Sequence, residues 1–100
     1  MAEQQEFMVY VNGNIVPESQ AMISALDRGF RWGDAVYDTE RTFGGQIFKL
    51  DAHLDRLYRS LQYTHINPGL SQKEMKNITL EVAEANQPLL EKYGDFNVNQ

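Results

Sequence analysis

Near its start, the chain has two short apolar runs on either side of an Asn-Gly pair. In residues 7–11 every second side chain is Phe or Val, which is the period-2 pattern of a strand. Asn-Gly at residues 12–13 is typical of a two-residue hairpin turn. Residues 14–16 then supply a second run that ends at Pro17, because proline cannot donate a ladder hydrogen bond. The pattern predicts a β-hairpin.

Residues 35–43 are a second strand candidate, and both of its sides are mixed. One side carries two aromatic residues, a threonine and Arg41, whereas the other carries a valine, a threonine, Asp38 and Glu40. Since a buried guanidinium needs a partner, the side with Arg41 is not expected to be plain core. The two acidic residues are interpreted as strand surface. The Gly-Gly pair that follows predicts a second hairpin turn, with residues 46–49 pairing back.

A helix is predicted after this hairpin. Asp51 is a suitable N-cap, and the helical pattern extends to about Tyr63. Apolar side chains recur at helical spacing on one stripe, which is expected to pack on the sheet. The members of this stripe are Leu50, Leu54, Leu57, Tyr58 and Leu61.

A second helix has a clear start signal, because Ser71 and Glu74 have the spacing of a capping box. Pro88 is expected to break or restart this helix, and Gly94 is a plausible stop. Residues 96–98 alternate as if a strand were beginning. The predicted buried stripe of the second helix consists of Met75, Ile78, Val82 and Ala85.

These elements predict one α+β domain over residues 1–100, in which an antiparallel sheet of hairpins is covered by two helices. Residues 18–25 are interpreted as a connector, and residues 27–34 as a loop or a short turn of helix. The sequence has no internal repeat and no low-complexity segment.

Composition narrows the function classes. The absence of cysteine rules out a disulfide framework, and with only two histidines no metal site is predicted. A net charge of −5 argues against a general nucleic-acid binder. No apolar run has the length of a membrane span, so no membrane partner is expected. A cytoplasmic protein is the simplest interpretation.

All five arginines lie within residues 28–59, a segment with six basic and five acidic side chains inside an otherwise acidic chain. Such a local balance suits a small anionic ligand better than a polyanion. Arg56 permits two interpretations. Helical spacing places it away from the leucine stripe as a solvated arginine, whereas His53, Arg56 and Ser60 together could present donors to a phosphate.

Tyr37 and Arg41 are four residues apart on one side of the predicted strand. They could form a carboxylate-recognition pair, or they could belong to a half-exposed sheet. Trp32 is more typical of a core or rim position than of a ligand platform. None of the four lysines has an apolar setting that would lower its pKa for Schiff-base chemistry, so no catalytic residue is assigned in this chain.

Four segments together resemble the N-terminal domain of class IV (fold-type IV) pyridoxal-phosphate aminotransferases. They are Tyr-Val-Asn-Gly at residues 10–13, Asp-Arg-Gly-Phe at 27–30, Gly-Asp-Ala-Val-Tyr-Asp at 33–38, and Phe-Lys-Leu-Asp-Ala-His-Leu-Asp-Arg-Leu at 48–57. The group includes branched-chain and D-amino-acid aminotransferases, (R)-selective amine transaminases and aminodeoxychorismate lyases. The last two segments are the most specific.

The resemblance implies that Arg56 binds the phosphate of pyridoxal 5'-phosphate, because the family's His-x-x-Arg-Leu segment supplies that arginine. Tyr37 matches an aromatic position that lines the substrate pocket, and Arg41 matches a position on the same strand that faces the pocket in branched-chain-type members. Trp32 matches a pocket-wall position. The implied substrates are an amino acid or amine and a 2-oxo acid, and the implied assembly is a homodimer.

The family's Schiff-base lysine lies in a C-terminal domain that these 100 residues do not match. The resemblance therefore implies part of a longer enzyme, inactive on its own. A lyase on the same scaffold is one alternative. A non-catalytic binding or interaction module that retains the domain is another.

Overall fold

The computed structural model describes residues 6–100, which form short antiparallel sheets and helices, so the α+β class is confirmed. Apart from a short 3-10 helix at Glu18–Gln20, five strands and four α-helices follow one another in this part of the chain. They are β1 (Met8–Val11), β2 (Asn14–Pro17), α1 (Arg28–Trp32), β3 (Thr39–Phe43), β4 (Gln46–Ile47), α2 (Leu50–Tyr63), α3 (Gln72–Ala85), α4 (Gln87–Tyr93) and β5 (Asn97–Asn99).

The first hairpin is confirmed. β1 and β2 pair antiparallel with Tyr10 opposite Ile15. Asn12 and Gly13 both have positive φ, 49° and 92°, which matches the right-handed twist of a two-residue hairpin. β3 lies at the centre of a second sheet in the order β4-β3-β5. The antiparallel pairing of β3 with β5, with Glu40 opposite Val98, confirms the strand expected near residues 96–98.

The leucine stripe of α2 is the centre of the core, as predicted. Leu50, Leu54, Leu57 and Leu61 are all buried. The partly buried hydrophobic residues packed against them are Val36, Ile47, Tyr58, Ile66 and Met75. Because this stripe fixes the rotation of α2 about its axis, it also fixes the direction of the side chains on the rest of the helix.

The predicted N-cap of α2 was wrong. Lys49 occupies that position in the left-handed region, with φ 53°, and makes no side-chain cap hydrogen bond. Asp51 lies within the first turn, where a carboxylate favours the positive end of the helix, and pairs with Lys76 at 2.8 Å. The chain enters the helix directly from a turn after β4, so the helix begins earlier than the capping pattern indicates.

The start of α3 is confirmed, since Ser71 and Glu74 form both hydrogen bonds of the capping box. The predicted stripe was partly wrong, because Ala85 is exposed while Thr79 and Ala83 are buried. The buried side of α3 is thus shifted by one position. α4 begins with Pro88 in its first turn and ends at Gly94, as expected.

The strand predicted over residues 35–43 begins only at Thr39, and the acidic residues before and within it were wrongly assigned to the surface. Asp38, Glu40 and Thr42 are 4%, 1% and 0% exposed. The side of β3 that carries the carboxylates therefore faces the interior, towards α2. Residues 28–32 form the short helix expected there, and Asp27 caps it by accepting a hydrogen bond from the Phe30 amide.

Among the helices within residues 6–100, none has both the length and the apolar character that a bilayer crossing requires.

Candidate functional site

The buried carboxylate of Asp38 holds Arg56 through two hydrogen bonds. Arg56 Nε donates to Oδ2 and Nη2 donates to Oδ1, each at 2.8 Å. The Asp38 side chain is 3% exposed, whereas that of Arg56 is 60% exposed. The pair therefore joins a fixed interior anion to a cation that reaches the surface, in the bidentate geometry that arginine and carboxylate prefer.

Two further donors contact the carboxylate of Asp38. The Thr39 amide donates to Oδ1 at 3.0 Å, and His53 Nδ1 lies 2.8 Å from the same oxygen. Because an ionised carboxylate only accepts hydrogen bonds, His53 carries its proton on Nδ1 here. The hydrogen bond from Arg56 is the largest cause that lowers the pKa of Asp38 well below its ordinary value, and it outweighs burial. Asp38 is therefore ionised at neutral pH.

The backbone of Asp38 is fixed as firmly as its side chain. Its amide donates to the Gln100 carbonyl at 3.1 Å, and the Gln100 amide donates back to the Asp38 carbonyl at 3.0 Å. These bonds continue the pairing of β3 with β5 by one residue pair. His53 and Arg56 approach from α2, where a separation of three residues places them on neighbouring turns of one face.

Arg56 is one of the residues that line a shallow surface depression of about 430 Å³. Its lining combines two guanidinium groups and three hydroxyl side chains with one aliphatic residue. The lining residues are Val36, Arg56, Arg59, Ser60, Tyr63 and Thr64. Of the three donors proposed from the sequence, Arg56 and Ser60 meet at this depression, whereas His53 turns towards Asp38.

The arrangement suits a small oxyanion. A guanidinium has five N–H donors, and Asp38 takes one from Nε and one from Nη2. The remaining three point away from Asp38, and two of them form the edge that can grip a phosphate or carboxylate. The positive charge of Arg59 on the same depression adds attraction for an anion. These residues fit a phosphate group.

Glu40 lies deeper than Asp38 and has a different environment. Within residues 6–100, neither of its carboxylate oxygens has a hydrogen-bond partner. Burial is the main cause that raises the pKa of Glu40, and the nearby Gln100 side chain and the charge of His53 offset only part of this rise.

Asp38, Glu40 and His53 have potential ligand atoms within 4.8 Å of one another. However, a cation at that point would face the guanidinium that already occupies both Asp38 oxygens.

We expect Glu40→Gln to stabilise the protein at neutral pH by about 1 kcal/mol. A raised folded-state pKa means that Glu40 favours folding when it is protonated, below its ordinary pKa of 4.5, and loses this contribution as pH rises through the folded value. Glutamine is neutral at every pH, so the gain should be large at pH 7.5 and small at pH 4. Urea unfolding of both proteins at the two pH values measures it.

Glu84→Gln is the matched control, because Glu84 is exposed on α3. Its effect should stay within about 0.5 kcal/mol at either pH. The pH dependence that Asp38 contributes is common to all the proteins compared and cancels in the differences. A loss of stability in Glu40→Gln at pH 7.5 would contradict the assignment of an unpaired buried carboxylate.

The three residues predicted to contact substrate all lie on the surface. Tyr37 is 79% exposed and Trp32 is 66% exposed, and Arg41 is exposed on β3. The Arg31 guanidinium lies 4.8 Å from the centre of the Trp32 ring. None of the three lines the depression beside Arg56. The side of β3 that carries Arg41 is thus the outward one, as expected.

Sequence reasoning missed Asp38, although a signal for it was present. Asp38 and Glu40 alternate with outward-facing residues on one strand, and His53 and Arg56 are three residues apart on the helix that follows. An acidic strand side opposite a basic helix edge would bring complementary charges together in the interior. Hydrophobic periodicity alone does not detect that pairing.

The family model described as amino-transferase class IV matches residues 35–97 of this chain. This segment contains Asp38, His53 and Arg56, together with the depression beside them.

Among curated relatives, a Methanocaldococcus jannaschii protein with the provisional name branched-chain-amino-acid aminotransferase is 37% identical over 78 residues. That alignment covers 78% of this chain and 27% of the relative. D-alanine aminotransferase of Bacillus licheniformis is 35% identical, with 79% of this chain and 28% of the relative covered. Aminodeoxychorismate lyase of Bacillus subtilis is 40% identical, with 68% and 23% covered. The alignments thus span about a quarter of each relative.

Proposed function

The chain belongs to the class IV aminotransferase family, and on this premise we propose that it supplies one wall of the active site of a pyridoxal 5'-phosphate-dependent aminotransferase. The reaction moves an amino group between an amino acid or amine and a 2-oxo acid. Residues 1–100 are the small N-terminal domain of that enzyme, and the lysine that holds the cofactor lies in another domain. The chain on its own is therefore inactive.

The orientation of Arg56 carries this proposal. The bidentate bond to Asp38 leaves three guanidinium N–H groups free of it, and Arg56 lines a depression together with Arg59 and Ser60. Arginine binds phosphate through two parallel N–H···O bonds. Arg56 would hold the phosphate of the cofactor and so fix its position relative to this domain. Pyridoxal phosphate supplies the electron sink for the reaction.

Tyr37, Arg41 and Trp32 are proposed to bind the substrate. Their exposure supports this role, because side chains that complete a pocket between domains are uncovered within one domain alone. Arg41 would pair with a substrate carboxylate, and the Tyr37 hydroxyl would donate a hydrogen bond. The enzyme would be a cytoplasmic homodimer with no nucleic-acid or membrane partner.

A lyase that uses the same cofactor is the second candidate, because aminodeoxychorismate lyase of Bacillus subtilis has 40% identity to this chain. The two reactions differ in where the amino group goes. A transaminase transfers it to a 2-oxo acid, whereas a lyase eliminates a fragment of its substrate and makes no new amino acid. A non-catalytic module would do neither.

An amino-transfer assay on the full-length protein tests the proposal. With pyridoxal 5'-phosphate, a panel of amino donors and a 2-oxo acid, we expect a new amino acid to form, measured by chromatography. Residues 1–100 alone should give no rate above that of the free cofactor. Elimination without a new amino acid would favour the lyase. Failure to turn over any donor, together with no binding of the cofactor, would overturn the enzyme proposal in favour of the module.

A further inference from the structure

We propose that Asp38 is the positioning residue for Arg56: it orients the guanidinium so that its free edge meets the phosphate of the cofactor. This inference rests on the proposed function, because it assigns a role within the same anion site. It adds a residue that does not touch the cofactor and acts only through Arg56.

Asp38 has the rigidity that a positioning residue needs. Its side chain is 3% exposed, and the Thr39 amide and His53 hold Oδ1 at 3.0 and 2.8 Å. Two backbone hydrogen bonds to Gln100 fix the main chain at the same point. A carboxylate restrained by three elements, β3, β5 and α2, provides a fixed reference for a long and otherwise flexible side chain.

The two bonds to Asp38 define the plane of the Arg56 guanidinium. One bond would leave the group free to rotate about it, whereas bonds from Nε and Nη2 to two different oxygens fix the plane and its tilt. The free edge is therefore held in one direction before an anion arrives. His53 lies one turn earlier on α2, with its Nδ1 3.4 Å from Arg56 Nη2, and limits the movement of the guanidinium on that side.

The Arg28–Asp34 pair shows what an ordinary pair of the same chemistry looks like. It has a single contact from Arg28 Nε to Asp34 Oδ2 at 2.7 Å, and its side chains are 77% and 36% exposed. Neither partner is buried, so that pair leaves its guanidinium without a fixed direction. Burial of one partner and bonding to both oxygens distinguish Asp38–Arg56.

The carboxylate has a second effect that opposes the first. Its negative charge partly cancels the attraction of Arg56 for an anion. If attraction alone decided affinity, removal of the Asp38 charge would tighten phosphate binding. If orientation decides it, removal would weaken phosphate binding. The sign of the change therefore separates the two effects.

The experiment compares the affinity of the full-length apoenzyme for pyridoxal 5'-phosphate and for pyridoxal, which lacks the phosphate. The dissociation constant for pyridoxal divided by that for pyridoxal 5'-phosphate measures the phosphate contribution alone. This quotient falls when phosphate binding weakens. We expect Asp38→Asn to reduce this quotient about tenfold and to leave the affinity for pyridoxal unchanged. Asp34→Asn, which alters the exposed pair, should change neither. A merely structural role for Asp38 would instead weaken the binding of both ligands.

Arg56→Lys provides a second variant in case Asp38→Asn does not fold. Lysine keeps the positive charge but cannot span both Asp38 oxygens, so the quotient should again fall about tenfold. An unchanged or increased quotient in either folded variant would overturn the positioning role. If Arg56→Ala also leaves the quotient unchanged, Arg56 is not the phosphate ligand, and the proposed function of this site fails with the inference.

Discussion

Arg56→Ala is expected to raise the dissociation constant of the full-length enzyme for pyridoxal 5'-phosphate about 100-fold. Hydrogen bonds to a charged group contribute about 1.5 to 3 kcal/mol each, and the free edge of Arg56 can make two. A conservative total of about 3 kcal/mol corresponds to slightly more than two factors of ten. Affinity for pyridoxal should change little, because only the phosphate contact is lost. Absorbance titration of the apoenzyme with each ligand measures both constants.

Removal of Arg56 also leaves Asp38 as a buried carboxylate without its main partner, which destabilises the fold independently of any ligand. The double variant Arg56→Ala, Asp38→Asn relieves that buried charge, and it should retain the loss of phosphate-dependent affinity. Arg28→Ala is the matched control, since it removes an exposed arginine from an ion pair outside the depression. Equal losses for pyridoxal and its phosphate would contradict a phosphate contact by Arg56.

Local signals in the sequence were sufficient for most elements of the fold. Asn12-Gly13 predicts its turn because both residues must adopt positive φ, and the structure has 49° and 92° there. Ser71 and Glu74 predict the start of α3 because their reciprocal hydrogen bonds involve only adjacent backbone. The leucine stripe predicts the buried side of α2 because every fourth or third position is apolar. Each of these signals lies within a single helix or a single hairpin.

The inner side of β3 could not be predicted in this way, because it depends on residues that are distant along the chain. Asp38 is buried since Arg56 and His53 reach it from α2, eighteen and fifteen residues away. A pattern based on hydrophobicity assigns a carboxylate to the surface, and here the partners reverse that assignment. The same rule makes Arg56 a solvated residue, whereas its Nε and Nη2 atoms are fixed on a buried anion.

The resemblance to a family singled out Arg56 but not the residue that holds it. The motif at residues 48–57 identifies the arginine by its spacing from His53 and Leu57. The direction in which the guanidinium points depends on the partner across the sheet–helix interface. The roles of Tyr37, Arg41 and Trp32 stay predictions, because their surroundings within residues 6–100 are an open surface.

Leu54→Ala is expected to lower the free energy of unfolding by about 3 kcal/mol. Leu54 is 1% exposed at the centre of the leucine stripe, so alanine leaves a cavity in addition to losing buried apolar area. For a domain of this size, such a loss lowers the melting temperature by roughly 12 to 24 °C. Thermal and urea unfolding measure the effect, with Leu80→Ala as the control.

Leu80 is 45% exposed on α3, so its replacement should cost less than about 1 kcal/mol. The Leu54→Ala variant also shows whether a loss of stability alone weakens phosphate binding. Leu54 packs in the leucine stripe, and the two bonds from Arg56 to Asp38 do not involve it. Folded Leu54→Ala protein should therefore keep the ratio of its affinities for pyridoxal 5'-phosphate and pyridoxal. A ratio that falls with stability would mean that α2 packing, and not the Asp38 anchor, sets the direction of Arg56.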